Sequence, residues 1–140
     1  MYNRYAIDNT IFNIAIYIRL SREDGDDLES ESVTNQRSLL IGYLKAQNLV
    51  AVDIYVDDGY TGTNFERPEF KRMLSDIENG KINMVITKDL SRLGRDHVMT
   101  GYYVETFFPQ NDVRYIAVND DIDTFYETSG SDMMPFKLSM

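Results

Sequence analysis

The chain contains no cysteine, a single histidine (His97), and only 14 lysines and arginines against 23 aspartates and glutamates. The missing cysteines exclude disulfides, thiolate metal sites and a cysteine nucleophile. One histidine leaves a serine–histidine couple a single candidate base and excludes a multi-histidine metal centre. A net charge of −9 is the reverse of the basic footprint usual in nucleic-acid binders, so composition alone argues against such a partner. No run approaches the roughly 20 apolar residues that span a bilayer. Residues 1–13 carry one basic residue, Arg4, and no secretory pattern. The expected setting is therefore cytoplasmic, with no membrane partner. No internal repeat is visible. What remains is 140 residues, 43% hydrophobic and 26% charged, enough for one domain with one good core.

Hydrophobic patterning divides that domain. Residues 1–12 have no clear period and read as a lead-in. Residues 13–20 (NIAIYIRL) are apolar on both faces and predict a central strand. Residues 21–31 hold six carboxylates around Gly25, whose mutual repulsion predicts a solvated, mobile loop. Ser32 reads as the N-cap of a helix running to about Asn48. A second strand at 50–56 is followed by a polar loop, 57–67, with Gly59 and Gly62 as candidate positive-φ positions, also expected to be mobile. Pro68 opens a helix that Gly80 ends. A third strand at 82–87, a loop at 88–96, a helix over 97–108 stopped by Pro109, a fourth strand at 113–118 and an acidic loop at 119–131 follow. Residues 132–140 read as the start of another helix. Alternating strands and single helices predict an α/β fold: a small doubly wound, mostly parallel sheet with helices on both faces, flavodoxin-like in topology.

Such sheets bind ligands beyond the carboxyl ends of their strands. There the sequence gathers Arg19, Arg67, Arg92 and Arg95 around Ser21, with Tyr17, Arg19 and Ser21 alternating to one side. Taken singly, each arginine reads as a solvated loop residue, Ser21 as a strand end and Tyr17 as core packing. Together, four guanidiniums would repel one another unless an anion lay between them, and guanidinium matches phosphate oxygens bidentately. A serine among them suits nucleophilic attack at phosphorus, with the arginines stabilising the equatorial charge and no metal required.

Tyr17-x-Arg19-x-Ser21, Ser32-x-x-x-Gln36, Thr61-Gly62 followed by Arg67-Pro68, and the box Arg92-Leu93-Gly94-Arg95 together resemble the signatures of the serine recombinases, the resolvase/invertase family. The resemblance runs from about residue 14 to 137. The segments DDGYTGTNFERPEF, KDLSRLGRD and DMMPFK look like the large recombinases of transposons and conjugative elements. It implies a catalytic domain over 13–140, with DNA-binding regions lying outside this chain. It further implies that Ser21 attacks a DNA phosphodiester to give a 5′-phosphoserine link. Strands would then exchange within a tetramer built from dimers on double-stranded DNA at specific recombination sites, with no cofactor. In that scheme Arg19, Arg67, Arg92 and Arg95 hold the phosphate. Gln36 orients the site, Thr61 lies near the phosphate, and Tyr17 supports Ser21 from behind. Ser91 departs from the pattern, because small resolvases carry aspartate there. The proton donor then falls to Asp58 or an arginine, while His97 reads as a helix start. Two rival readings remain open at this level. One is a receiver-like signalling module, which would need carboxylates where Arg19 and Ser21 stand. The other is a phosphatase or nuclease, which fits the chemistry but not the four-part pattern.

Overall fold

In a computed structural model, residues 11–127 are described. Five strands form one sheet in the order β2-β1-β3-β4-β5: β1 (Ile14–Leu20), β2 (Ala51–Asp58), β3 (Met84–Thr87), β4 (Arg114–Ala117) and β5 (Ile122–Asp123). The first four run parallel and β5 is antiparallel to β4. Helix α1 (Val33–Lys45) covers one face; α2 (Pro68–Glu78) and the helical segment from His97 to Gln110 cover the other. This is the doubly wound, mostly parallel architecture the strand–helix alternation predicts, with the flavodoxin-like strand order. Its switch point lies between β1 and β3, so the carboxyl end of β1 is where a ligand crevice belongs.

Local chemistry explains the elements. β1 lies inside the sheet and all but its last residue are buried, hence its unbroken apolar run. Ser32 caps α1, its side chain accepting from Asn35 N–H at 3.0 Å, and Gln36, Leu40 and Leu44 share the buried face one turn apart. Pro68 opens α2, whose Phe70, Met73 and Ile77 pack into the core; Gly80, at φ +79°, closes it. No helix among the described residues is long and apolar enough to cross a membrane.

The structure differs from the sequence pattern in several places. Pro109 does not stop the third helix. The helix runs from α4 (His97–Tyr102) through a π-type turn, Tyr103–Phe107, into α5 (Phe108–Gln110). Phe108 N–H reaches back to the Tyr103 carbonyl, and this wider turn lets the helix pass a residue that donates no hydrogen bond. The expected loop at 88–96 contains a helical turn, α3 (Leu90–Leu93), capped by Asp89. The expected loop at 119–131 contains β5 and α6 (Thr124–Glu127), turned by Asp121 at φ +58°. Two residues of strand are too few to show a period. Phe12, read as lead-in, packs edge-on against Phe125 at 6.1 Å. The helix expected over 132–140 lies outside the described residues.

Candidate active site at the carboxyl end of β1

β1 and β2 pair in register, with Tyr17 beside Tyr55 and Arg19 beside Asp57. Side chains two apart share a face, so Tyr17 and Arg19 project toward α2 and α3. Ser21 is the first residue past β1. It is buried, and its Oγ accepts from Glu23 N–H at 3.2 Å, capping a 3-10 turn over Arg22–Asp24. A hollow of about 380 Å³ opens beside it, lined by Leu20, Ser21, Arg22, Glu23, Asp58 and Gly59.

The four arginines do converge, but three are inside the protein. Arg19 and Arg67 are fully buried and Arg92 is 2% exposed; only Arg95, with 39% of its side chain exposed, meets solvent. The repulsion expected among bare guanidiniums is relieved by the chain itself. Arg19 donates from Nη1 to Asp24 Oδ2 (2.5 Å) and Tyr60 O (3.2 Å), from Nε to Arg92 O (3.2 Å), and from Nη2 to the Ser91 carbonyl. Arg92 grips Asp26 with two bonds, Nη1 to Oδ2 at 3.0 Å and Nη2 to Oδ1 at 3.1 Å, and donates to the Arg19 carbonyl at 2.8 Å. Asp26 also accepts from Ser21 N–H at 3.0 Å. Arg67 donates to the carbonyls of Asn64 (2.5 Å) and Leu93 (2.6 Å) and to Tyr17 Oη (2.8 Å). The rings of Phe65 and Phe70 lie 4.8 and 4.6 Å from its guanidinium carbon. Among the described residues no guanidinium donates to Ser21 Oγ.

The electrostatics follow from this burial. Burial pushes the Arg19 guanidinium below its ordinary value, and the neighbouring Arg92 charge adds to that. Burial also works against the Arg92 charge, but its bonds to Asp26 and the nearby carboxylates outweigh it and leave the group above its usual range. Desolvation lifts the Tyr17 phenol far above its ordinary value, so it stays a neutral relay between Arg67 and Asp57.

Several expectations change. The run 21–31 is not a free solvated loop: it folds into two 3-10 turns, with Asp26 buried and Glu31 paired to Lys88 at 3.3 Å. Arginine charges offset the repulsion that the isolated run suggests. Gly59 takes a positive φ of +99°, but Gly62 does not. Gly62 is needed for space: a Cβ there would lie 2.5 Å from Arg95 Cγ and 2.8 Å from Arg19 Nη2. The Thr61 hydroxyl turns to Thr63 at 3.2 Å, and it is the next residue's N–H that enters the cluster, donating to Asp24 Oδ2 at 2.8 Å. Gln36 is fully buried and its Nε2 donates to the carbonyls of Arg19 (3.0 Å) and Glu31 (2.8 Å), tying α1 to the end of β1. Asp58 is exposed on the rim of the hollow, and His97 begins α4 at the surface.

Four carboxylates were missed by motif reasoning. Asp57, in phase with buried Tyr55, accepts from Tyr17 Oη (2.8 Å) and from the N–H groups of Glu69 (3.0 Å) and Phe70 (2.9 Å), capping α2 from outside the helix. Asp89 accepts from the Ser91 hydroxyl at 2.5 Å and from Arg92 N–H at 3.2 Å, so it supplies beside Ser91 the carboxylate that position lacks. For Asp57 the strand alternation was a usable signal, and for Asp89 the capping position was. Asp24 and Asp26 were hidden in a run of like charges.

Gly94 sets how tightly the arginine box packs. Its backbone is extended, and a Cβ would lie 2.3 Å from Phe65 Cζ and 2.6 Å from Thr100 Oγ1. Phe65 is held by stacking on Tyr103 at 5.7 Å. Gly94→Ala is expected to cost about 1–3 kcal/mol through overpacking. Urea denaturation reads this, and an unchanged midpoint would show that Phe65 moves aside freely.

Residues 14–139 match the family described as Resolvase, N terminal domain. The crystal structure of the N-terminal catalytic domain of TP901-1 integrase superposes with a TM-score of 0.71 at 31% identity, over 85% of this chain and 92% of that one. A resolvase family site-specific recombinase from Streptococcus pneumoniae shares the fold, with a TM-score of 0.63 at 23% identity over 87% of this chain and 88% of that one. A protein of Bacillus subtilis (strain 168) named "Putative DNA recombinase" is 29% identical over 108 residues, which are 77% of this chain and 21% of that protein. The chain thus spans about a fifth of that relative's length.

Proposed function

The chain belongs to the resolvase N-terminal domain family, and on that footing we propose that it is the catalytic domain of a site-specific DNA recombinase, acting in the cytoplasm to move a mobile element such as a transposon or conjugative element. The observation that carries the reading is Ser21 at the carboxyl end of β1, backed by three interlinked arginines that the fold buries at a cost. Buried guanidinium is expensive, and a cluster of it beside a nucleophile suits a site that must stabilise phosphoryl charge.

In the proposed reaction Ser21 Oγ attacks a phosphodiester of double-stranded DNA at a specific recombination site. The Oγ–P bond forms as the P–O3′ bond breaks, leaving a 5′-phosphoserine and a 3′-oxygen that takes up a proton. Arg95 and Arg19 bear on the phosphate. Arg92 and Arg67 hold the carbonyl framework that aims them, with Tyr17, Gln36 and Ser91 beneath. Thr61 lines the approach, and Asp58, which shares the hollow with Ser21, is the carboxylate assigned to proton traffic. Strand exchange in a tetramer of this protein and reversal of the attack by the 3′-hydroxyl complete the cycle. The ester bond energy is kept in the phosphoserine, so the scheme draws on no cofactor.

The test is the covalent adduct. The full-length protein, incubated with DNA carrying its site and trapped by denaturation, is expected to yield a DNA-linked peptide whose attachment maps to Ser21. Ser21→Ala is expected to bind the same DNA and form none. Adducts that persist in the variant would overturn the assignment.

A further inference from the structure

We propose that Asp24 is a built-in occupant of an oxyanion subsite, and that a backbone phosphate of the DNA must displace its carboxylate before Ser21 can react. The inference rests on the recombinase reading above and adds to it a default closed state.

One atom, Asp24 Oδ2, collects donors from three separate elements. Arg19 Nη1 at the end of β1 approaches to 2.5 Å, Gly62 N–H in the loop after β2 to 2.8 Å, and Arg95 Nε in the loop after α3 to 3.4 Å. Two guanidiniums and a backbone amide converging on one oxygen form a cradle as suited to a phosphate oxygen as to a carboxylate. Gly62 cannot carry a side chain without striking both arginines, so the amide is bare by necessity. Its carbonyl accepts from Arg95 N–H at 2.8 Å, which locks the two loops in register.

The occupant can leave without dismantling the rest. Asp24 ends the single 3-10 turn that begins after Ser21, and Gly25 follows in the left-handed region at φ +83°. Asp26, beyond that glycine, is tied separately to Arg92 and Ser21 N–H. A swing of Arg22–Asp24 about Gly25 therefore empties the cradle while Arg92 stays neutralised. Of the cradle's two arginines Arg95 is the one that reaches solvent, so a phosphate entering the cradle meets it before Arg19. While Asp24 stays, its charge both fills the cradle and repels a phosphate beside the serine. That combination keeps the cradle closed to anions while Asp24 is in place.

The experiment titrates the 140-residue chain and its Asp24→Asn variant with inorganic phosphate and, separately, with a 12-base-pair DNA duplex, following amide resonances. Asp27→Asn, an equal change in net charge at an exposed residue outside both the cradle and the hollow, is the control. Asp24→Asn is expected to bind both ligands at least about tenfold more tightly than the unsubstituted chain, the scale of removing one charge in contact with the ligand, with Gly62 N–H among the resonances that move. Asp27→Asn is expected to change either affinity by less than about twofold. Equal gains in the two variants would mean bulk charge is responsible and would overturn the proposal. A gain for phosphate alone would remove DNA as the displacing ligand and would overturn it equally. If circular dichroism finds Asp24→Asn unfolded, the unsubstituted chain decides. Saturating phosphate must then move the Asp24 Cγ and Gly62 N–H resonances along one isotherm, and movement of neither overturns the proposal. The Ser21 adduct is scored independently. Its absence beside a tighter Asp24→Asn fells the recombinase reading, whereas its presence beside unchanged binding fells only the displacement.

Discussion

Asp57→Ala is expected to destabilise the domain by about 3–5 kcal/mol, although Asp57 touches no substrate in the proposed reaction and no motif singles it out. Its carboxylate is 1% exposed and accepts three hydrogen bonds: from Tyr17 Oη and from the Glu69 and Phe70 amides at the start of α2. Truncation leaves all three donors buried without a partner and removes the negative charge that balances Arg67 through the Tyr17 hydroxyl. The formal N-cap of α2, Arg67, contributes no side-chain cap, so nothing replaces the loss. Asp57→Asn keeps the shape and one acceptor oxygen, and about half the penalty or less is expected. Thermal unfolding reads the difference, with a fall of roughly 10 °C or more for alanine in a domain of this size. A melting temperature within a degree or two of the parent would show that water replaces the carboxylate at no cost. The Tyr17–Asp57–Arg67 relay would then be ornamental.

Asp26→Ala carries the second large effect, and it depends on pH. Arg92 loses both bonds of its grip and, with Asp89 3.5 Å from its Nε, is left an under-compensated buried charge beside Arg19, a loss of about 3–5 kcal/mol at neutral pH. Adding Arg92→Met should recover part of that, because the under-compensated charge goes with it. Burial alone would raise the Asp26 carboxyl. The Arg92 hydrogen bonds, the Ser21 amide and the two arginine charges overcome it, and the group titrates below the ordinary aspartate range in the folded protein. A folded value below the unfolded one means the stabilisation is fully present above the unfolded pKa, about 3.9, and fades as pH falls through the folded value. The stability gap between the parent and Asp26→Asn, measured by urea denaturation, should therefore hold constant from pH 7 to about 5 and narrow below about 4. A gap independent of pH would mean that the ion pair contributes shape and not charge.

Both effects concern carboxylates that a linear reading assigns to solvent, and that marks where legibility ended. The four parallel strands and helices α1 and α2 were readable because apolar spacing and caps are local: Ser32 before α1, Pro68 before α2 and the unbroken run of β1 each signal through neighbours a few residues away. The motif arginines were readable as a group because the topology rule sends loops after parallel strands to one edge. The same reasoning mistook 21–31 for a free loop. Charges of one sign do repel along a chain, but Asp24 and Asp26 are brought against Arg19, Arg92 and Arg95, residues up to 71 positions away that share no local pattern with them.

The sequence by itself determined the α/β architecture and the family, and it pointed to the carboxyl edge, with Ser21 and four arginines, as the candidate site. Only the tertiary structure decided that three of those arginines are buried, that four aspartates answer them, and that the apparent cationic pocket is closed by the chain's own acids. The physical reason is range: helix and strand preferences act over a few residues and are written in order. The partner of a buried charge is chosen by whichever opposite charge the fold delivers to it, and that is settled when the sheet has closed.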